Sequence, residues 1–377
     1  MIAWLLAATL AASPASSAAS ADPSPLAPAA APAASAPQAA PPIEVVPLPE
    51  RVMELPPALL EALQTNVIDR SPRGYGRLER LVDFMYQPEG LGIHYRHDAN
   101  NTVAEVWETR EANCLSFTLL TVALARAAGI DAYGQEIART LSWYSEGETL
   151  YFSNHVNAGI RIGIHEYTVD VGSDSVMTRD PPRRVDDARL MAVFYSNRAA
   201  DLLAEGAHEA AGRFIDAAIE ADPRYPTAWS NAGVLKLRLA DPAAAEAAFL
   251  KALELDRHHD GALMNLATLY ATRGDQRSAN QYRKRLEQMR QRNPYHVFLL
   301  AVEAERRDDY AVAARHYRRA ISLHEDEHRF HFGLARALLH LGDARGAGRA
   351  LQRAHELSEG DMQIRYAAKL DLLRRRP

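Results

Sequence analysis

With 377 residues, 47% of them hydrophobic, and a formal net charge of −5, the chain is long enough for two folded domains and lacks the positive excess of a general nucleic-acid binder. Its single cysteine, Cys114, excludes an intrachain disulfide framework. Beyond the N-terminal run, no stretch is apolar enough to cross a bilayer, so no transmembrane segment is expected.

Met1 to Ala12 is a short apolar run, and Ala19-Ser20-Ala21 follows it as a small-residue cleavage pattern, so residues 1–21 read as a secretory signal peptide. Residues 22–49 are dominated by Ala and Pro with almost no charge or aromatic residue, which predicts a disordered linker. The expected protein is exported, with the periplasm as its compartment. In that oxidising setting a lone thiol is either sealed in a core or put to chemical use.

Residues 50–190 mix two periods. Pro57 to Gln64 and Arg77 to Tyr86 carry apolar residues at helical spacing, Leu91 to Tyr95 reads as a short extended piece, and Thr102 to Glu108 as a further helical turn or two. Leu115 to Ala128 is apolar on nearly every side without Gly or Pro, which predicts a fully buried helix ended by Gly129. Cys114 then sits in its first turn, where unpaired N–H groups and the helix dipole favour a thiolate nucleophile. Ala132 to Ile137, Thr149 to Ile160 and His165 to Val171 alternate as antiparallel strands. A hairpin centred near residue 162 or 163 would bring His155 and Asp170 roughly opposite each other.

Asn113-Cys114-Leu115-Ser116, Ala125-Arg126-Ala127-Ala128-Gly129-Ile130, Asn154-His155-Val156-Asn157 and Thr168-Val169-Asp170-Val171 together resemble the transglutaminase-like (papain-like) cysteine enzyme superfamily. The resemblance spans about residues 75 to 175. It implies an α+β domain in which Cys114, His155 and Asp170 form a catalytic triad: an imidazole activates the thiol and the carboxylate orients the imidazole. The Cys114 N–H is one natural oxyanion donor, and Asn101, Asn113 and Gln135 are candidates for the second. The chemistry would be attack on an amide carbonyl to give a thioester. Water as acceptor makes a protease or amidase, which is the expectation; an amine makes an acyltransferase. The alternative is a non-catalytic scaffold that keeps the fold. His94 and His97, with Asp98 beside them, have metal-like spacing without further ligands, so no metal and no other cofactor is expected.

From residue 192 the sequence repeats every 34 residues. Ala211, Ala245, Ala279, Ala313 and Ala347 share one register, and Ala199, Gly233, Ala267, Ala301 and Ala335 share another. Gly206, Ala240, Gly274, Asp308 and Gly342 mark the turns between paired helices. The pattern is that of a tetratricopeptide (TPR) array, an all-α solenoid of five repeats over 192–361 with a capping helix over 362–377. Its concave groove would hold a protein or peptide. Asn197, Asn231 and Asn265 recur at one register and would bind a peptide backbone, while Phe298 and Phe332 would offer apolar contact beyond them. Residues 1–191 hold 14 basic against 23 acidic residues, and the remainder 29 against 25. The cluster Arg277, Arg283, Lys284, Arg285, Arg290 and Arg292 lacks interleaved aromatics and reads as a solvated face, so no nucleic acid is expected.

Overall fold

Residues 44–137, 140–142, 145–146, 149–150, 155–171, 176–178 and 181–374 are described in the computed structural model of the chain. The expected signal peptide, the linker to residue 43, Asn154 and the last three residues of the capping helix lie outside them.

The chain enters through α1 (Pro49–Val52) and α2 (Pro57–Leu63), which runs into a π-helical turn over Gln64–Ile68, and then α3 (Tyr75–Tyr86). The strand β1 (His94–Tyr95), the helix α4 (Val103–Thr109) and the strand β2 (Glu111–Ala112) lead to α5 (Cys114–Ala127). A capping box starts α4: Thr102 accepts from the Glu105 N–H and Glu105 reaches back to the Thr102 N–H. Arg110, at φ +61°, ends it. Parallel pairing of β1 with β2 sets His94 opposite Glu111 and so fixes the approach to Cys114. As the composition predicted, α5 is buried without a break from Leu115 to Ala125 and is followed by Gly129 at φ +75°.

Next come β3 (Asp131–Ile137), β4 (Thr140–Ser142), β5 (Ser145–Glu146), β6 (Thr149–Leu150), β7 (His155–Ile162), β8 (His165–Val169), β9 (Val176–Thr178) and β10 (Arg183–Val185). Four of them form an antiparallel sheet in the order β10-β3-β7-β8. The sequence gives no sign of β10, because Arg183-Arg184-Val185 has no apolar alternation. The β7–β8 hairpin turns at Gly163-Ile164 and pairs Ala158 with Val169. Its centre is therefore one residue later than predicted. Continued by one step, the register sets Asp170 opposite Asn157, and His155 is its diagonal neighbour. Val156, Ala158 and Ile160, on one face of β7, share a hydrophobic core with the leucines of α5; His155 and Asn157 lie on the other face.

Five helix pairs follow: α6 (Asp187–Glu205) with α7 (His208–Ala221), α8 (Pro226–Arg238) with α9 (Pro242–Leu255), α10 (Asp260–Thr272) with α11 (Gln276–Arg290), α12 (Pro294–Arg306) with α13 (Tyr310–Leu323), and α14 (His328–His340) with α15 (Ala344–Leu357). The last helix, α16 (Gly360–Arg374), covers the open end. Ala211, Ala245, Ala279, Ala313 and Ala347 are buried, and the turn residues Gly206, Ala240, Gly274, Asp308 and Gly342 all have φ between 58° and 81°. Among the described residues, no helix is long and apolar enough to cross a membrane.

The predicted division at residues 190–192 falls inside α6. That helix starts at the N-cap Asp186, and Arg126 of α5 holds Asp187 through two bonds of 2.6 and 2.8 Å. Leu190 packs on Gly134 of β3 so closely that a Cβ there would lie 2.7 Å from it. One hydrophobic core runs from Val52 through α3, α5, β7 and α6 to Leu235 of α8. The end of the predicted linker is also engaged: Pro47 O accepts from the Tyr195 hydroxyl at 2.7 Å, Glu44 pairs with Arg198, and Glu44 O accepts from Arg213 at 3.2 Å.

Candidate active site

Cys114 is the first residue of α5 and is half-buried against the core. Its position is set by the residues around the helix start. Asn113 is the N-cap, its Oδ1 accepting from the Ser116 N–H at 2.9 Å. Ser116 Oγ accepts from the Asn101 N–H at 2.7 Å and donates to Ala99 O at 3.0 Å. The Asn101 amide donates to Glu111 O at 3.1 Å. Two of the proposed oxyanion donors, Asn101 and Asn113, thus anchor the entry to the helix. The third, Gln135, is buried on β3 opposite Asn157, its Oε1 accepting from Thr168 at 3.2 Å.

His155 opens β7 and is 2% exposed. Its Nε2 lies 2.6 and 2.8 Å from the two carboxylate oxygens of Asp170, and Cys114 is the second group that raises its pKa. With Nε2 directed at the carboxylate, Nδ1 is the nitrogen left for the sulfur. Burial pulls the imidazole pKa down, but the interactions with Asp170 and Cys114 outweigh it and push the value up to about 9. The shift favours the protonated ring at neutral pH. The diagonal register suffices because both side chains lean across one face of the hairpin.

Two residues without an assigned role in the sequence reading complete the surroundings. The Tyr86 hydroxyl donates to Asp170 O at 2.5 Å and its ring tilts against Phe117 of α5 at 5.3 Å, tying the end of β8 to α3 and α5. Burial, then the Asp170 charge, raises the Tyr86 pKa, so the phenol stays a donor. Asn157 donates to Asp170 Oδ2 at 3.3 Å. Its alternation with His155 is visible in the sequence; the end of α3 gives no comparable signal for Tyr86. Elsewhere, Asp98 is taken by Arg96 at 2.7 Å, and no group of three metal-ligating side chains occurs among the described residues.

The predicted groove residues separate. Asn197 in α6 and Asn265 in α10 are half-buried, whereas Asn231 in α8 donates to Ser196 Oγ at 2.9 Å and Ser196 O at 3.0 Å, bridging two repeats. Phe298 is 5% exposed and stacks on Phe330 at 5.1 Å, so it is core and not groove. Phe332 lies 4.9 Å from Tyr366 of α16, with Arg336 over its ring. These aromatics fill the space between neighbouring helices, a demand that the repeat pattern alone does not reveal.

A family model described as Tetratricopeptide repeat matches residues 226–259, one 34-residue unit spanning α8 and α9. A heat-shock protein cognate co-chaperone, sgt12 of Aspergillus fumigatus, is 38% identical over 64 residues, which is 17% of this chain and 19% of that protein. The chain thus matches about a fifth of that relative's length. Among solved structures, pilF of Pseudomonas aeruginosa is 17% identical and matches over 49% of this chain and 86% of its own, with a TM-score of 0.27. YrrB, described as a TPR protein with an unusual peptide-binding site, is 19% identical over 47% of this chain and 92% of its own, with a TM-score of 0.25. A thermophilic TPR protein of Thermus thermophilus is 19% identical over 48% of this chain and 98% of its own, also with a TM-score of 0.25. Residues 226–259 match a tetratricopeptide repeat, and the same 34-residue period of paired helices runs through the helical half of the chain as a tetratricopeptide repeat array.

Proposed function

We propose that the protein is an exported, transglutaminase-like cysteine enzyme that acts on peptide or amide bonds, by hydrolysis in preference to amine transfer, with the repeat array holding a protein or peptide. The observation that carries this reading is His155 held through Nε2 by Asp170, with Cys114, the first residue of α5, acting on the same ring. In the proposed reaction the Cys114 sulfur attacks the amide carbon, and the developing oxyanion is met by the Cys114 N–H at the helix start. The C–N bond then breaks, the amine leaves with the imidazolium proton, and a thioester remains. Water, deprotonated by the neutral His155, attacks the thioester; the products are a carboxylic acid and the restored thiol. Asp170 keeps Nδ1 directed at the sulfur throughout.

Hydrolysis is favoured because the sequence carries no acidic calcium-type loop. Export rests on the N-terminal apolar run and the Ala19-Ser20-Ala21 pattern. In the groove, Asn197 and Asn265 are the amides left to meet a peptide. The test is labelling by a broad thiol-directed acylating probe: the wild-type chain is labelled and turns the probe over, and Cys114→Ala is not labelled. Absence of labelling in the folded wild-type protein would leave a scaffold that retains only the fold.

A further inference from the structure

Asn157 follows His155 by two residues on β7, so both side chains project from one face. The hairpin register, continued one step past Ala158 and Val169, sets Asp170 directly across from it. Asn157 is 3% exposed, its Nδ2 lies 3.3 Å from Asp170 Oδ2, and its Oδ1 is buried without a partner among the described residues. The opposite amide orientation would press that oxygen against a carboxylate, so Asp170 decides which way the amide points. A buried carbonyl without a partner is unfavourable and rare. Here it accompanies a second donor to a carboxylate that already receives His155. The Tyr86 hydroxyl restrains only the Asp170 backbone, through its carbonyl; rotation of the carboxylate about its own bonds is opposed by His155 and Asn157.

We propose that Asn157 is a positioning residue: its amide fixes the Asp170 carboxylate so that both oxygens face His155, and through it orients the imidazole toward Cys114. Its catalytic meaning rests on the triad reading above. The groups acting on His155 are Asp170 and Cys114, and Asn157 acts on the first of these.

The experiment is an NMR titration of the His155 imidazole, with iodoacetamide alkylation of Cys114, in the full chain and in Asn157→Ala and Asn157→Val. The valine variant keeps bulk and strand preference at the position. In both folded variants the His155 midpoint should fall by about one unit or more as the carboxylate turns away. Alkylation at neutral pH should slow about tenfold, because fewer molecules hold the aligned pair. Unchanged midpoint and rate, beside a wild type in which His155→Ala slows alkylation, would overturn the role of Asn157 alone. A wild-type His155 titrating near its ordinary value, with alkylation indifferent to His155→Ala, would overturn the triad reading and this proposal together. Failure of both variants to fold would make Asn157 a structural residue and overturn the proposal as well.

Discussion

At the residue scale, the charge on His155 ties the proposed chemistry to stability. Folded, the imidazole holds its proton to about pH 9; an unfolded histidine releases it near about 6.5. A raised pKa in the folded state gives stability that is complete below the unfolded value and lost as pH rises through the folded one. The denaturation midpoint should therefore fall between about pH 6.5 and 9 in the wild type and be flatter over that window in His155→Ala. A wild-type midpoint that holds level across the window would contradict the ion-pair geometry. Under the proposed function, Asp170→Asn should keep the fold while lowering turnover by up to about four orders of magnitude, as loss of the orienting carboxylate does in a Ser-His-Asp triad. Full activity, or an unfolded domain, would remove Asp170 from that role. The places of Cys114, His155 and Asp170 on a helix start, a strand and a hairpin are legible in the sequence because each is a local pattern, whereas their joint role is implied only by the resemblance. Asn157 and Tyr86 are not assigned from it, since the first depends on a register one residue later than the pattern suggested and the second on how α3 packs.

At the scale of elements, the repeat carries its geometry in its turns. The five turn positions have left-handed backbones, yet two are not glycine: Ala240 and Asp308, each at φ 58°. A left-handed alanine costs roughly 1–2 kcal/mol, and glycine gives back part of the gain through its unfolded-state entropy of roughly 0.5–1 kcal/mol. Ala240→Gly should thus raise stability by up to about 1 kcal/mol, read as a higher urea midpoint at unchanged slope; a lower midpoint would refute the argument. Gly333 is the opposite case. A Cβ there would run into the Tyr317 ring of α13, so Gly333→Ala should cost about 1–3 kcal/mol in the same assay. Period and turns were legible because they recur at fixed spacing. The fate of Phe298 and Phe332 was not, since which aromatic fills an interhelix gap depends on side chains in the neighbouring helices.

At the scale of the whole molecule, α6 belongs to both halves. Its N-terminal turns close the core around α5 and the sheet, and its later turns pack against α7 as the first helix of the array. The sequence suggested a boundary at residue 191 because the 34-residue period begins there, but a helix with two partners leaves no mark in a period. Residues 44–48 add a second tie, bound to Tyr195, Arg198 and Arg213. Leu190, fully buried between Gly134 and the rest of the core, tests the coupling. Leu190→Ala should cost about 2–5 kcal/mol and lower the thermal midpoint followed at the first repeats together with that of the cysteine half. Displacement of one midpoint with the other unmoved would mean that the shared core does not act as a unit.

The central claim is that His155 makes Cys114 reactive. Its most direct measurement is the rate of iodoacetamide alkylation of Cys114 as a function of pH, in the wild-type chain and in His155→Ala. The account predicts fast alkylation in the wild type already near pH 6 and a rate at least about tenfold lower in the variant. Two superimposable curves, each following an ordinary thiol, would contradict it.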